Sequence, residues 1–294
     1  MKKDFIVPVL LLLLIASCNQ KLSNQSIDFT KEHEFTKGIE GPATNEEGII
    51  YAVNFKEEGT IGKVDKNGKA SLFLKLNNGS IGNGIRFDKA GNMFIADYVN
   101  HGILKVEKGE KKYTMYAKDS TMNQPNDLAI SPKGILYASD PNWAKSTGKL
   151  WMAKEGQLFL LEKDMGTTNG IEVSPDGKNL YVNESVQRKI WKYDILSDGA
   201  LANKIQFASF SNFGLDGMRC DANGNLYVCR YDKGTVVVFS PEGNRIREIQ
   251  LKGKKPTNIT FGGRDNKQCF VTLADRGCFE TFYAANPGRS FQKD

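Results

Sequence analysis

Six oxygen-bearing side chains recur along this chain at a nearly constant interval: Glu40, Asn83, Asn126, Asn169, Asp216 and Asn258, separated by 43, 43, 43, 47 and 42 residues. Each opens a run that reads apolar, turn, apolar, as in Asn169-Gly-Ile-Glu-Val-Ser-Pro-Asp-Gly and Asp216-Gly-Met-Arg-Cys-Asp-Ala-Asn-Gly. Singly, Asn, Asp and Gly at such places are strand-entry residues whose side chains cap local backbone groups. Gathered at one depth, two carboxylates without a cation would repel and raise each other's pKa. A hard divalent cation removes that conflict. Carboxylates and amide carbonyls without His or Cys make an oxygen-only shell that suits calcium most, magnesium or manganese next and zinc least.

An interval of this size is the signature of a repeat architecture. Within each unit a second apolar run follows the first: Ile50-Tyr-Ala-Val, Met93-Phe-Ile-Ala, Leu136-Tyr-Ala-Ser, Leu180-Tyr-Val-Asn, Leu226-Tyr-Val-Cys and Cys269-Phe-Val-Thr. Aromatic and β-branched residues bounded by Gly, Asn, Asp and Pro mark strands joined by tight turns. Further strands follow, as at Gly102-Ile-Leu-Lys-Val-Glu and Lys189-Ile-Trp-Lys-Tyr-Asp. Four short strands per unit predict one blade of a β-propeller, so the fold expected is all-β, with six four-stranded antiparallel blades around a channel. A segment near Phe29 to Thr36 is expected to close the last blade onto the first. If the first strand of each blade lines the channel, the six opening residues converge at one mouth. The loop after each second strand returns to that face, which makes Asn54, Phe55, Tyr98, His101, Asn142, Trp143, Glu184, Arg230, Tyr231, Asp275 and Arg276 the expected rim.

The chain has 294 residues, 25% charged and 40% hydrophobic, as an ordinary globular protein does. The formal charge of +6 is scattered through turns, and the one dense basic cluster, Lys252 to Lys255, lacks interleaved aromatics, so no nucleic-acid partner is expected. Lys2 and Lys3 precede an apolar run from Phe5 to Ile15, which reads as an export signal. Ile15-Ala-Ser-Cys18 resembles a lipobox, so residues 1–17 are expected to be removed and Cys18 lipidated. A bacterial envelope lipoprotein held to a membrane by its N-terminal lipid follows, with residues 18–28 as a polar tether and 29–294 as a single propeller. An export route permits disulfides between Cys220, Cys229, Cys269 and Cys278, but small buried thiols on strands are the commoner case.

Glu40-Gly-Pro42, Pro125-Asn126-Asp127, Ser139-Asp-Pro141, Asn169 to Gly177, Leu215-Asp216-Gly217 and Phe261-Gly-Gly263 together resemble the family of senescence marker protein (regucalcin), gluconolactonase and luciferin-regenerating enzyme. Diisopropyl fluorophosphatase is a more distant relative of that architecture. The resemblance implies divalent-metal ligands at Glu40, Asn126, Asn169 and Asp216, with Asn83 and Asn258 as supporting or substrate contacts. It implies a metal-dependent hydrolase of lactones acting on a small molecule at the channel mouth, in a monomer. Phosphoester or organophosphate hydrolysis, or a non-catalytic binding module stapled by the metal, are the alternatives. Many relatives carry tryptophan where this chain has Thr44, and animal-type lactonases carry arginine where it has Gln124. Arg230 could supply the missing donor. Calcium acidifies bound water weakly, so a separate base is needed; Asp216 is the candidate and Glu40 the alternative. Gln124, Tyr98, His101 and Trp143 complete the candidate substrate contacts, although a lone loop histidine is more often pocket wall than base, and Trp143 could equally pack between blades.

Overall fold

The computed structural model describes residues 22–289, so Cys18 and the apolar segment before it lie outside the described residues. Strands are short and end at turns that begin with Asn, Asp or Ser and close on glycine. At the second of these hairpins, for example, Asp88 accepts from the Asn92 N–H at 2.8 Å. Among the described residues twenty-four strands form six antiparallel four-stranded sheets, as the repeat predicts. The inner strands are Ala43–Thr44, Gly82–Phe87, Leu128–Ile130, Thr168–Val173, Met218–Cys220 and Pro256–Gly262. Each pairs with a second strand beside it, such as Ile50–Val53 or Leu226–Arg230, whose residues are buried throughout. The outermost strands are half exposed, as at Ala70–Lys75. Among the described residues the one helical element is the 3-10 turn Trp143–Lys145.

The core is distributed between blades rather than centred. Val53 and Ile61 of the first blade pack on Ile85, Ile95 and Leu104 of the second, all at most 1% exposed. Each such side chain contributes about 1.5–3 kcal/mol of hydrophobic burial. The ring is sealed by the same chemistry, since Ile39, Ile50 and Phe35 meet Phe270 and Phe279 of the last blade.

Closure differs from expectation in position. The strand that completes the sixth blade is Ile27–Asp28, pairing with Thr281 and Glu280. Phe29 to Phe35 continue along it as a loop, donating backbone bonds to Phe279, Arg276 and Gly277. Within the stretch read as a tether through Asp28, Ile27–Asp28 is therefore blade, and Ser23 and Asn24 are held by Arg247 of the fifth blade's outer strand. Ser26 donates to the buried Glu280 carboxylate at 2.5 Å, and Arg276 bonds Asp28 at 2.8 Å and Glu32 at 2.5 Å. Polar composition misled here because an edge strand answers to its neighbour's carbonyls and charges, not to a hydrophobic face. Cys220, Cys229, Cys269 and Cys278 are free thiols, all buried.

Candidate metal centre at the channel

Backbone irregularity sets the site. Asn83, Asn169 and Asn258 lie where the inner strand slips register against its partner, between Gly82 and Ile85, Thr168 and Ile171, and Pro256 and Ile259. Glu40, Asn126 and Asp216 lie just ahead of their strands. Released from its own ladder, this backbone bonds the next blade: the Gly84 N–H donates to the Asn126 carbonyl and the Gly217 N–H to the Thr257 carbonyl, each at 2.7 Å. Such bulges re-aim side chains. Glycine after the ring residue lets neighbouring inner strands close up. At Gly41, where φ is +61°, an added Cβ would lie 2.1 Å from the Asn83 carbonyl oxygen, and at Gly170 one would lie 2.3 Å from that of Asp216.

A second device fixes the loops that deliver these residues. A polar residue near the end of each second strand, or just beyond it, hydrogen-bonds the segment leading into its own inner strand. Asn54 donates to the Gly38 carbonyl at 2.7 Å, Asp97 accepts from Ser80 at 2.7 Å and Asp140 accepts from the Asn123 and Gln124 N–H groups at 2.7 Å. Glu184 accepts from Gly166 at 2.9 Å, Arg230 donates to Asn212 at 2.5 Å and Asp275 accepts from Lys254 at 2.7 Å. Asn54, Glu184, Arg230 and Asp275, read from sequence as rim, are anchors.

Glu40, Asn126 and Asn169 are 8%, 6% and 3% exposed, and Glu40 Oε1, Asn126 Oδ1 and Asn169 Oδ1 are buried without any hydrogen-bond partner. Three acceptors from three blades are thus left open where an unmet acceptor is costly. Asp216 is half buried; its carboxylate accepts from the Asn169 amide, and its carbonyl holds the Asn183 amide at 2.6 Å. Burial, and then the Asp127 charge, push the Glu40 carboxyl up to about 7. Burial followed by the Glu40 charge holds Asp216 well above the usual carboxylate range. Two buried acids, both raised above their ordinary range and Asp216 in the field of Glu40, beside unmet amide oxygens, fit a hard cation with oxygen ligands. Among the described residues no group of three or more His, Cys, Asp or Glu is arranged for a metal, so such a site has to draw on asparagine.

The other candidates divide. Asn83, Gln124, Tyr98 and His101 are half buried, and Trp143 is 37% exposed. The His101 ring Nδ1 lies 2.8 Å from the Asn123 carbonyl, two residues from Gln124's neighbour Pro125 in the loop that leads to Asn126, and therefore donates to it. Arg230 does not reach the mouth: it is 1% exposed, with its guanidinium 3.5 Å from the centre of the Phe210 ring, because burial in a stacked site outweighs its solvation. Of the two roles expected of Asn258, the supporting one fits its contacts, since its side chain bonds the Glu40 carboxylate. Asn258 is fully buried, its Oδ1 accepting from Arg219 and the Ile259 N–H and its Nδ2 donating to Asp127 at 3.3 Å.

Beneath the ring lies a charged layer the sequence reading passed over. Asp127 sits against Arg86 at 3.1 Å and near Arg219 at 3.7 Å, and Glu172 against Arg289 at 2.9 Å. Its signal was present, since Arg86, Glu172 and Arg219 each follow a ring residue by three and stand alone among apolar neighbours in a strand.

Residues 39–275 match the family described as SMP-30/Gluconolactonase/LRE-like region. The chain is 30% identical over 278 residues to diisopropyl-fluorophosphatase of Loligo vulgaris, covering 83% of this chain and 88% of that protein. It is 28% identical over 217 residues to gluconolactonase of Zymomonas mobilis, covering 65% of this chain and 60% of that one. A calcium-binding regucalcin from Agrobacterium tumefaciens superposes with a TM-score of 0.78 at 19% identity, over 92% of this chain and 97% of that one, which bears on the fold alone. With a match across most of the propeller, this chain belongs to the SMP-30/gluconolactonase/LRE-like family.

Proposed function

We propose that this protein is a divalent-metal-dependent hydrolase of lactones, with the metal, calcium first, held by Glu40, Asn126, Asn169 and Asp216. The observation that carries the reading is the set of three buried, partnerless oxygens contributed by three blades beside a fourth, carboxylate, residue. When bound, a calcium ion there polarises a substrate carbonyl oxygen as a Lewis acid. The chain's own residues supply the rest. Asp216 is the most solvent-accessible of the four and accepts the proton of the attacking water. Asn169 and Asn183 fix its carboxylate and its carbonyl, so the base is pre-oriented. Half-buried Asn83, Gln124, Tyr98 and His101, with Trp143, line the approach. Withdrawal of Arg230 into its stack, with Gln124 where animal-type lactonases carry arginine, favours a substrate without a strong demand for cationic donors.

Organophosphate hydrolysis is the second reading, favoured by the 30% identity to a diisopropyl-fluorophosphatase across nearly its whole length. Both reactions need a polarised oxygen and a nearby base. Turnover of an aldonolactone panel and of diisopropyl fluorophosphate, each with calcium and with EDTA, separates them. Calcium-dependent lactone turnover, abolished by Glu40→Gln, supports the proposal. Absence of turnover of either class with calcium, magnesium, manganese or zinc would leave a binding module. We further propose lipidation at Cys18 and attachment to the bacterial envelope, tested by labelled palmitate incorporation that Cys18→Ser removes.

A further inference from the structure

At the end of the channel opposite the ring lies a cavity of about 1140 Å³, whose inner wall includes Arg86, Glu172 and Arg219 and whose flank is Tyr51, Phe73 and Phe87. The carboxylates nearby are committed. Asp127 is bonded by Arg86, and the Glu172 Oε1 by Arg289. Arg219 stands 3.7 Å from Asp127 and 3.9 Å from Glu172, outside hydrogen-bond reach, and its hydrogen bonds run to neutral acceptors: the Met218 and Pro42 carbonyls at 2.7 and 3.1 Å and the Asn258 amide oxygen at 3.1 Å. Arg86 Nε is buried without an acceptor. Asp127 is thus shared by two buried guanidiniums, and neither carboxylate near Arg219 makes a hydrogen bond to it. Burial, and then the Arg86 charge, bring Arg219 down to about 10, the direction expected of an under-compensated cation.

Planar guanidinium forks match a two-oxygen anion, and buried arginine is the side chain best suited to it. The aromatic flank is built as a unit, with Tyr51 edge-on to Phe73 at 5.0 Å and to Phe87 at 5.4 Å, and Phe73 and Phe87 only partly buried. The outer rim carries both signs, including the paired Lys108 and Glu46, so it does not set the charge of the ligand. We propose that this cavity binds an organic carboxylate, its head group against Arg219 and Arg86 and its apolar body against Tyr51, Phe73 and Phe87, independently of the metal centre.

Isothermal titration of the mature protein in EDTA, with benzoate, its neutral isostere benzamide, and acetate, tests this. Benzoate is expected to bind saturably at one site, and benzamide about tenfold or more weaker, the size of effect that loss of one charge-assisted contact produces. Phe87→Ala should weaken benzoate and leave acetate unchanged; Arg219→Lys, which keeps the charge but loses the fork, should weaken both. Thermal unfolding of both variants checks that they fold, and Phe87→Ala carries the test if Arg219→Lys does not. Equal binding of benzoate and benzamide, no saturable benzoate binding, benzoate binding untouched by Phe87→Ala, or a requirement for calcium would each overturn the proposal.

Discussion

The ring and the charged layer beneath it, whose Arg86, Glu172 and Arg219 each follow a ring residue by three, treat charge in opposite ways. At the ring, Glu40, Asn126 and Asn169 keep buried oxygens with no donor, and two carboxyls sit well above their ordinary range. Below it, Arg86 meets Asp127 and Arg289 meets Glu172, and the ring's own Asn258 turns its amide to Arg219 and Asp127. The upper layer is left incomplete in a way that a divalent cation would complete; the lower layer brings its own cations. Asp127 is the hinge of the difference. It occupies the place that Gly41, Gly84, Gly170 and Gly217 fill in four other blades, and it carries charge into both layers.

The contrast can be broken from above or below. The largest effect is expected from the ring: Glu40→Gln should cut calcium affinity by about 100-fold or more, since even the groups supporting a ligand are worth about 10–100-fold. Calorimetry with calcium reads it, and an unchanged affinity would remove Glu40 from the ligand set. Asp216→Asn should lose the hydrolytic rate more than the metal, and a variant retaining both would show that the base lies elsewhere. From below, Asp127→Ala strands Arg86 and Arg219 and should cost about 3–5 kcal/mol, the usual penalty for half of a buried pair. Chemical denaturation measures this, and a loss below about 1 kcal/mol would mean that water replaces the aspartate.

A smaller, signed effect follows from Glu40. Its carboxyl sits at about 7 in the folded protein against an ordinary 4.5, so between those values the folded state holds a proton that the unfolded chain has released. Without metal, stability should therefore fall as pH rises through that window, and Asp216, raised in the same direction, adds to the fall. Calcium should restore the melting temperature at pH 8 far more than at pH 5.5, because protons and metal compete for the same oxygens. Equal calcium shifts at both pH values would contradict the electrostatics of the ring. The smallest effect expected is on KM from Arg230→Gln. Loss of the Phe210 stack should lower stability by about 1–2 kcal/mol and leave KM within about twofold if the arginine is an anchor rather than a substrate donor.

The interval between Glu40, Asn83, Asn126, Asn169, Asp216 and Asn258 was enough to read the number of blades and the innermost strand of each, because repeat length and two-residue alternation are local properties of the chain. The buried state of the four strand cysteines followed from the same pattern. What each polar side chain does at that depth was not local. Arg230 and Glu184 looked like rim and are anchors, because their partners at Asn212 and Gly166 lie 18 residues away in sequence and their hydrogen bonds consume the groups a ligand would need. Asn258 and Asn126 look equivalent in the repeat, yet one is saturated by Arg219 and Asp127 and the other is open, a difference made across blades. The closing strand moved to Ile27–Asp28 for the same reason, since an edge is chosen by the register of its neighbour. Sequence spacing determined where the oxygens stand along the channel; only the tertiary structure decided which of them are still free to bind, because hydrogen-bond capacity is spent between blades that the sequence holds far apart.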